Sequence, residues 1–365
     1  MSDTKHLDFI IVGFGIAGAL LSYRLKEKLG KTVLAIDPCP EVTSSRAAAG
    51  ILNPVTGKRL VKSWRVEDML PAARKTYREI EKNLGATFYY NKTIRRIYQS
   101  EEELKRWNKR IDQPIYQSFL GKQFEANTMP EEIQDPLGSF EIRGVGNLDT
   151  DHFLDVMIDW ATEQEILLKE TFVYEDLSIT ENGVKWKDSS ANHVIFCEGY
   201  QVSGNPWFKW LPMSPAKGEI LTLSGIDLGT TDILSKQKWV LPIEDGKFIS
   251  GSTWSWDHLN EDPTHQGKSG LLQGLSKMIR SPDSLTIHTH RAGVRPCTDD
   301  RHPYNGKHPE YPQLSVFNGF GSKGALMTPL LCDEFTDHLL NDVPLDPETD
   351  IKRVIDHYPG ASQDQ

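Results

Sequence analysis

Apolar and polar positions follow two rhythms along the chain. Leu7–Val12 is a short apolar run with Asp8 near its start, and it reads as a buried parallel strand. From about Gly15 to Leu29, Ala17, Leu20, Leu21, Leu25 and Leu29 share one face at helical spacing, and Gly30 stops the helix. Thr32–Ile36 is the second strand. Residues 64–84 return to the helical period through Trp64, Met69, Leu70, Ala73, Tyr77, Ile80 and Leu84, and Gly85 ends them. Phe88–Tyr98 alternates in part, as a strand does. Glu101–Arg110 reads as an exposed helix whose charge run is a solvated face. Pro114–Pro136 has little pattern.

Phe140–Gly146 is strand-like, and Thr150 is placed to cap a helix with Phe153, Met157, Trp160 and Ala161 on one face. Leu167–Tyr174 and Leu177–Thr180 read as strands, with Asn182-Gly183 as a hairpin turn. His193–Cys197 is a buried strand ending on Glu198-Gly199. A further block opens at Trp207 and contains the strands Ile220–Leu223, Trp239–Pro242 and Lys247–Thr253, then a helix over 267–280. Trp239, Trp254 and Trp256 lie near these strands, as core or as the wall of a pocket. Leu314–Asn318 is the last strand. It runs into Gly319-Phe320-Gly321-Ser322-Lys323-Gly324 and a helix over Ala325–Leu340. Strands followed by helices at both ends predict an α/β fold, interrupted by segments of a second, substrate-side domain.

Composition narrows the function. The 365 residues allow one large or two ordinary domains. The formal charge of −10 argues against a generally basic nucleic-acid surface. No apolar run reaches membrane-span length, and Leu7–Val12 is too short for a signal peptide. Cys39, Cys197, Cys297 and Cys332 are scattered without a C-x-x-C, so neither zinc nor a disulfide framework is expected and a reducing cytoplasm is the default. His288 and His290 alternate on one strand face with no third ligand nearby and read as structural, so no metal is expected.

The chemistry-bearing stretch is Gly13-Phe14-Gly15-Ile16-Ala17-Gly18, a G-x-G-x-x-G that follows a strand and opens a helix. Gly13 permits the tight turn, Gly15 lets a pyrophosphate approach the backbone, and Gly18 lets helix pack on strand. Asp37, at the end of the second strand, suits ribose hydroxyls and would repel a 2′-phosphate, which leaves FAD or NAD. Small residues crowd Ser44–Pro54, where a backbone can approach a ligand, and Arg46 is the candidate cation for the pyrophosphate. The Gly319–Gly324 corner presents a second helix N-terminus, a seat for the anionic edge of a reduced flavin.

Together these residues resemble the FAD-dependent D-amino acid oxidase family, which includes glycine and sarcosine oxidases. The resemblance rests on Gly13–Gly18 with Asp37, Ser45–Gly50, Lys217-Gly218-Glu219, Val194–Gly199, Gly293-Val294-Arg295-Pro296, and Gly319–Gly324 with Pro329. It implies a Rossmann-type FAD-binding domain built from discontinuous segments (1–60, 140–205 and 285–365). The substrate domain would be 61–139 and 206–284, with a large mixed or antiparallel sheet. The cofactor-binding positions it implies are Gly13, Gly15, Ile16, Ala17, Gly18, Asp37, Pro38, Arg46, Ala49, Gly50, Val173, Cys197, Gly199, Gly321, Ser322, Lys323 and Gly324. It implies hydride removal from the C–H beside an amine onto the flavin. Arg295 is the first candidate to bind a substrate carboxylate, or else a structural ion pair. Lys323 is the second, or else sits on the flavin edge. Cys297 is either a covalent flavin anchor, as in the sarcosine oxidase branch, or a small core residue.

Gly293-Val294-Arg295 and Gly319–Gly324 are also similar to the oxidase half of the bifunctional enzyme that makes 5-methylaminomethyl-2-thiouridine in tRNA. Three readings follow. The chain oxidises a small amine or amino acid, or it removes a carboxymethyl group from a tRNA wobble uridine, or it is a non-catalytic or electron-passing flavoprotein subunit.

Overall fold

The computed structural model describes residues 5–360. They fall into two compact units. One comprises the residues up to Arg46, Asp151–Ala216, and those from Val294 on; the other comprises Ala47–Thr150 and Lys217–Gly293.

The first unit is built on five parallel strands: β1 (Lys5–Val12), β2 (Val33–Ile36), β3 (Leu167–Leu168), β4 (Ser189–Phe196) and β5 (Leu314–Asn318). Their order across the sheet is β3-β2-β1-β4-β5, with β1 in the middle. A central parallel strand is covered on both faces, which is why Phe9, Ile10, Ile11 and Val12 run without alternation and are all buried. The hairpin of Leu177–Thr180 and Gly183–Trp186 pairs with the first part of β4, and Tyr304–Lys307 runs antiparallel beside β5. Strand order reverses between β1 and β4, where the register is Val12 opposite Phe196. That reversal opens a crevice at the carboxyl ends of the strands, the usual seat of a ligand in such sheets.

Helix α1 (Ile16–Tyr23) follows β1, α2 (Thr150–Glu163) leads towards β3, and α3 (Gly324–Asn341) follows β5. The sequence predicts a regular helix to Leu29, but Arg24–Lys28 winds wider, with the Leu29 N–H donating to the Arg24 carbonyl at 3.1 Å. Gly30 ends it at φ +60°, in the left-handed region that favours glycine. The expected long strand Leu167–Tyr174 shrinks to Leu167–Leu168. The Val173 carbonyl accepts instead from the Trp186 indole at 3.1 Å, which draws the chain off the sheet.

The second unit holds a nine-stranded mixed sheet in the order Thr286–Arg295, Ala216–Ser224, Phe248–Gly251, Trp239–Pro242, Ile233–Ser235, Tyr89–Ile97, Ser139–Leu148, Ile51–Leu52, with Leu120–Phe124 also on Ser139–Leu148. The pair Ile233–Ser235 and Tyr89–Ile97 is parallel, and most others are antiparallel. Leu221, Leu234, Val240 and Phe248 pack against Leu271 and Leu275 of the helix His265–Leu275. The helix Val66–Leu84 is amphipathic as read and ends on Gly85 at φ +67°.

Two readings are corrected in this unit. Glu101–Arg110 is helical, but one face is not solvated. Trp107 and Glu103 are buried, and Glu103 accepts from Arg96, itself buried, at 2.6 Å. A charge pattern alone cannot show that an acid has a buried cation waiting on another strand. Thr150 stands at the first position of α2, but its hydroxyl donates to the Ala48 carbonyl at 2.9 Å rather than capping the helix.

Candidate functional site

The first glycine corner joins β1 to α1 in the crevice. Gly13 sits at φ +97°, and a Cβ there would lie 2.5 Å from the Cys197 carbonyl oxygen. A Cβ on Gly18 would lie 1.9 Å from the Gly13 oxygen, so only glycine lets α1 pack this closely. Cys197 is buried beside both glycines, and its N–H donates to Val12 O at 2.7 Å. Burial pushes its thiol well up, so it is a packing residue rather than a nucleophile.

Gly15 is the N-cap of α1, carries no capping side chain, and no acid lies in the first turn. The Ser45 hydroxyl accepts from the Ile16 N–H at 3.2 Å. Ser45, which the sequence places in the small-residue loop and in the stretch Ser45–Gly50, is thus a partner of the turn. Asp37 at the end of β2 accepts from the N–H groups of Phe14 and Cys39, both at 2.6 Å. These two bonds fix the carboxylate on the corner, and a carboxylate has about four acceptor directions, so others remain for ribose hydroxyls. A helix terminus that begins on glycine, three glycines whose side-chain space is taken by the protein itself, and an oriented acid fit an FAD dinucleotide.

The remaining candidates divide. Arg46 is held by Asp155 at 2.6 Å and Asp151 at 3.6 Å, so its guanidinium lies on α2. Ala49 and Gly50 belong to the second unit. There the Ala49 carbonyl accepts from Asn147, and a Cβ on Gly50 would meet the Leu148 oxygen at 1.8 Å. Pro38 and Val173 are exposed on the first unit. Gly199 sits at φ +60°, and its carbonyl accepts from Asn318 Nδ2 at 2.8 Å, which ties the end of β4 to β5.

Glu198, between Cys197 and Gly199, was passed over in the sequence. It accepts from the Tyr174 hydroxyl at 2.5 Å and from Asn205 Nδ2 at 2.8 Å. Burial pushes its carboxyl up to about 7, while the two hydrogen bonds pull it down. Asn205 accepts in turn from the N–H groups of Trp207 and Phe208. An acid directly after a buried strand was the signal available.

The second corner joins β5 to α3. Gly319 and Gly321 take φ of +83° and +55°, and Lys323 is the N-cap of α3 with no side-chain cap bond. Ser322 is exposed at the tip of the turn, and Gly324 opens the helix. The Gly321 N–H donates to Pro296 O at 3.1 Å, which brings the corner against Arg295-Pro296-Cys297. Two cations therefore stand in one small region. Burial lowers the Arg295 guanidinium to about 10, opposed by Cys297, and lowers the Lys323 amine, with Arg301 adding to the effect. Burial also raises the Cys297 thiol, against the pull of Arg295. Cations held where their charged forms are disfavoured are suited to meet an anion.

His290 Nε2 is 2.7 Å from Glu219 Oε2 and His288 Nε2 is 2.8 Å from Ser224 Oγ, so both histidines have structural partners. Among the described residues no group of three His, Cys, Asp or Glu is placed to hold a metal, and no helix is long and apolar enough to cross a membrane.

Comparison with known proteins identifies the family. The profile of the FAD dependent oxidoreductase (DAO) family matches residues 8–338, and the chain belongs to that family. It is 23% identical over 359 residues to the glycine oxidase of Pseudomonas putida, covering 92% of this chain and 95% of that protein. It is 24% identical to the glycine oxidase of Bacillus subtilis, covering 92% and 94%. A match at 27% identity to the tRNA 5-methylaminomethyl-2-thiouridine biosynthesis bifunctional protein of Marinobacter nauticus covers 41% of this chain and 26% of that protein. The crystal structure of glycine oxidase from Geobacillus kaustophilus superposes with a TM-score of 0.77 at 20% identity, covering 94% and 97%. The chain is thus an FAD-dependent oxidoreductase with the fold of that group.

Proposed function

We propose that this enzyme oxidises the C–N bond of a small amine or amino acid bearing a carboxylate. The observation that carries the reading is the pair of half-buried cations, Arg295 and Lys323, on segments joined by the Gly321–Pro296 hydrogen bond beside the α3 N-terminus. FAD, when bound, supplies the hydride acceptor. The protein's part is to bind and orient. Gly13, Gly15, Ile16, Ala17 and Gly18 hold the dinucleotide and Asp37 the ribose, with Cys197 and Gly199 as the wall at the end of β4. Gly321, Ser322 and Gly324 carry the flavin edge. Arg295 takes the carboxylate and Lys323 shares it or borders the flavin. A neutral amine lone pair assists departure of the hydride, so no side-chain base is required at that nitrogen, and water completes hydrolysis of the imine product. Arg46 would have to exchange Asp155 for a pyrophosphate to join the set.

Relatives named as glycine oxidases support the small-substrate reading, since this chain spans nearly their whole length. The tRNA reading is supported by the partial match to the tRNA enzyme and is disfavoured by the acidic balance of the chain. The test compares carboxylated amines with their decarboxylated counterparts as reductants of the bound flavin. Preference for the carboxylated member, lost in Arg295→Ala, is the expected result; equal rates for both would overturn the assignment of Arg295 and Lys323.

A further inference from the structure

The short hairpin of Val55–Thr56 and Val61–Lys62 and the helix Glu101–Arg110 have no part in the reaction as described. They are locked together by three arginines. Arg96 Nη2 donates to the Gly57 carbonyl at 3.2 Å, Arg106 Nη1 to that of Lys58 at 2.7 Å, and Arg110 Nη1 to that of Leu60. Arg96 is buried and also paired with Glu103, and the Leu60 side chain is fully buried. The turn of the hairpin is therefore braced from beneath, while Lys58 and Arg59 at its tip are exposed.

The braced turn gathers charge against the balance of the chain. Four cations lie between Thr56 and Val66 and four more between Leu104 and Ile111, with no acid in either stretch, whereas the whole chain carries −10. Lys62 pairs with Glu67 and Arg65 with Asp68, and Arg106 and Arg110 use donors on the turn. Lys58, Arg59, Lys105 and Lys109 remain exposed. The acids Glu101, Glu102 and Asp112 sit at the two ends of the helix and moderate this field without cancelling it.

Two aliphatic side chains stand beside these cations. Val61, next to Leu60, is 51% exposed, and Ile115 is 55% exposed next to Tyr116. Arg110 joins the two places, because it donates to the Leu60 carbonyl and lies 4.8 Å from the centre of the Tyr116 ring. Exposed aliphatic surface is disfavoured in water, and it cannot stack on a base as an aromatic ring does. Aliphatic groups set among lysines and arginines suit a surface where anionic headgroups overlie hydrocarbon.

We propose that this face docks on an anionic lipid bilayer, with Lys58, Arg59, Lys105 and Lys109 among the headgroups and Val61 and Ile115 at the acyl boundary. The face lies wholly within the second unit, so it stands whether or not the substrate reading above is correct. The test is co-sedimentation of the FAD-loaded full chain with vesicles of equal parts phosphatidylglycerol and phosphatidylcholine, set against vesicles of phosphatidylcholine alone. The expected result is saturable binding to the anionic vesicles only, suppressed by high salt. Binding falls about tenfold or more in Lys58→Ala/Arg59→Ala, survives in Lys58→Arg/Arg59→Lys, and weakens in Val61→Ser/Ile115→Ser. Unchanged melting temperature and flavin content in the variants keep folding out of the comparison. Equal binding to both kinds of vesicle, no binding to either, or full retention by the alanine or the serine variant would each overturn the proposal. Displacement of the protein from the vesicles by unmodified tRNA at equal phosphate concentration would overturn it too, and would assign the face to nucleic acid.

Discussion

The first unit contains two glycine corners of the same kind, each a buried parallel strand turning into a helix, and they differ in what their glycines are for. At β1–α1 the side-chain space of Gly13 and Gly18 is filled by backbone, at 2.5 and 1.9 Å. At β5–α3 the corresponding space is filled by side chains or left open. A Cβ on Gly319 would meet the Thr298 methyl at 2.7 Å, one on Gly321 the Cys297 sulfur at 3.5 Å, and one on Gly324 only the Phe320 Cβ at 3.8 Å. Moreover, the N-cap is Gly15 in the first corner and Lys323 in the second. The first corner is a fixed mould, dictated by backbone packing. The second is a turn packed largely by side chains, with Lys323 at the start of its helix.

The largest effect should come from breaking the mould. In Gly18→Ala the new methyl group meets a carbonyl that cannot rotate away, and a loss of about 3 kcal/mol or more, together with the flavin, is expected in a thermal or denaturant melt. A stable, yellow Gly18→Ala protein would show that the backbone approach is not obligatory. Arg295→Ala should keep its flavin and its fold while losing roughly 1.5–3 kcal/mol of transition-state binding for a carboxylated amine, read as kcat/KM against a decarboxylated one.

Glu198 sharpens the contrast from the side, because it sits on the turn that walls the first corner. With its carboxyl raised from an ordinary 4.5 to about 7, the folded chain holds a proton that the unfolded chain has released. Its contribution is fully present below about pH 4.5 and is lost as pH rises to about 7. The wild type should thus lose on the order of 2 kcal/mol across that window, and Glu198→Gln should flatten this slope. An unaltered slope in the variant would assign the pH dependence to other groups. The smallest effect on stability belongs to Gly324→Ala. With an open Cβ position at the first helical residue, it should be neutral or stabilising by about 0.5 kcal/mol, while flavin affinity falls if this backbone faces the isoalloxazine edge.

The same contrast explains what could be read from the chain. Gly13 and Gly18 were legible because backbone packing demands glycine there, and Gly15 and Asp37 because they complete a spacing with those two. β1, β4, β5 and the helices after β1 and β5 were legible from continuous apolar runs and helical period. The charged helix Glu101–Arg110 misled because Glu103 finds its buried partner, Arg96, on a separate strand. The wider winding at Arg24–Lys28 was hidden because a π turn leaves no mark in apolar spacing. Arg46 could be picked out as a cation, but its pairing with Asp155 is set by how α2 lies against the loop, which no local pattern records. Glu198 was hidden by its environment, since only the fold puts Tyr174 and Asn205 beside it.

The central claim is that bound FAD accepts hydride from an amine whose carboxylate is read by Arg295 and Lys323. The most direct measurement is anaerobic mixing of the purified yellow protein with a panel of glycine, N-alkylglycines and other amino acids, following the oxidised flavin band. Bleaching by at least one carboxylated amine, with stoichiometric imine-derived product and a slower rate in Arg295→Ala, is the predicted result. A flavin that dithionite bleaches fully but no amine or amino acid reduces would contradict the account.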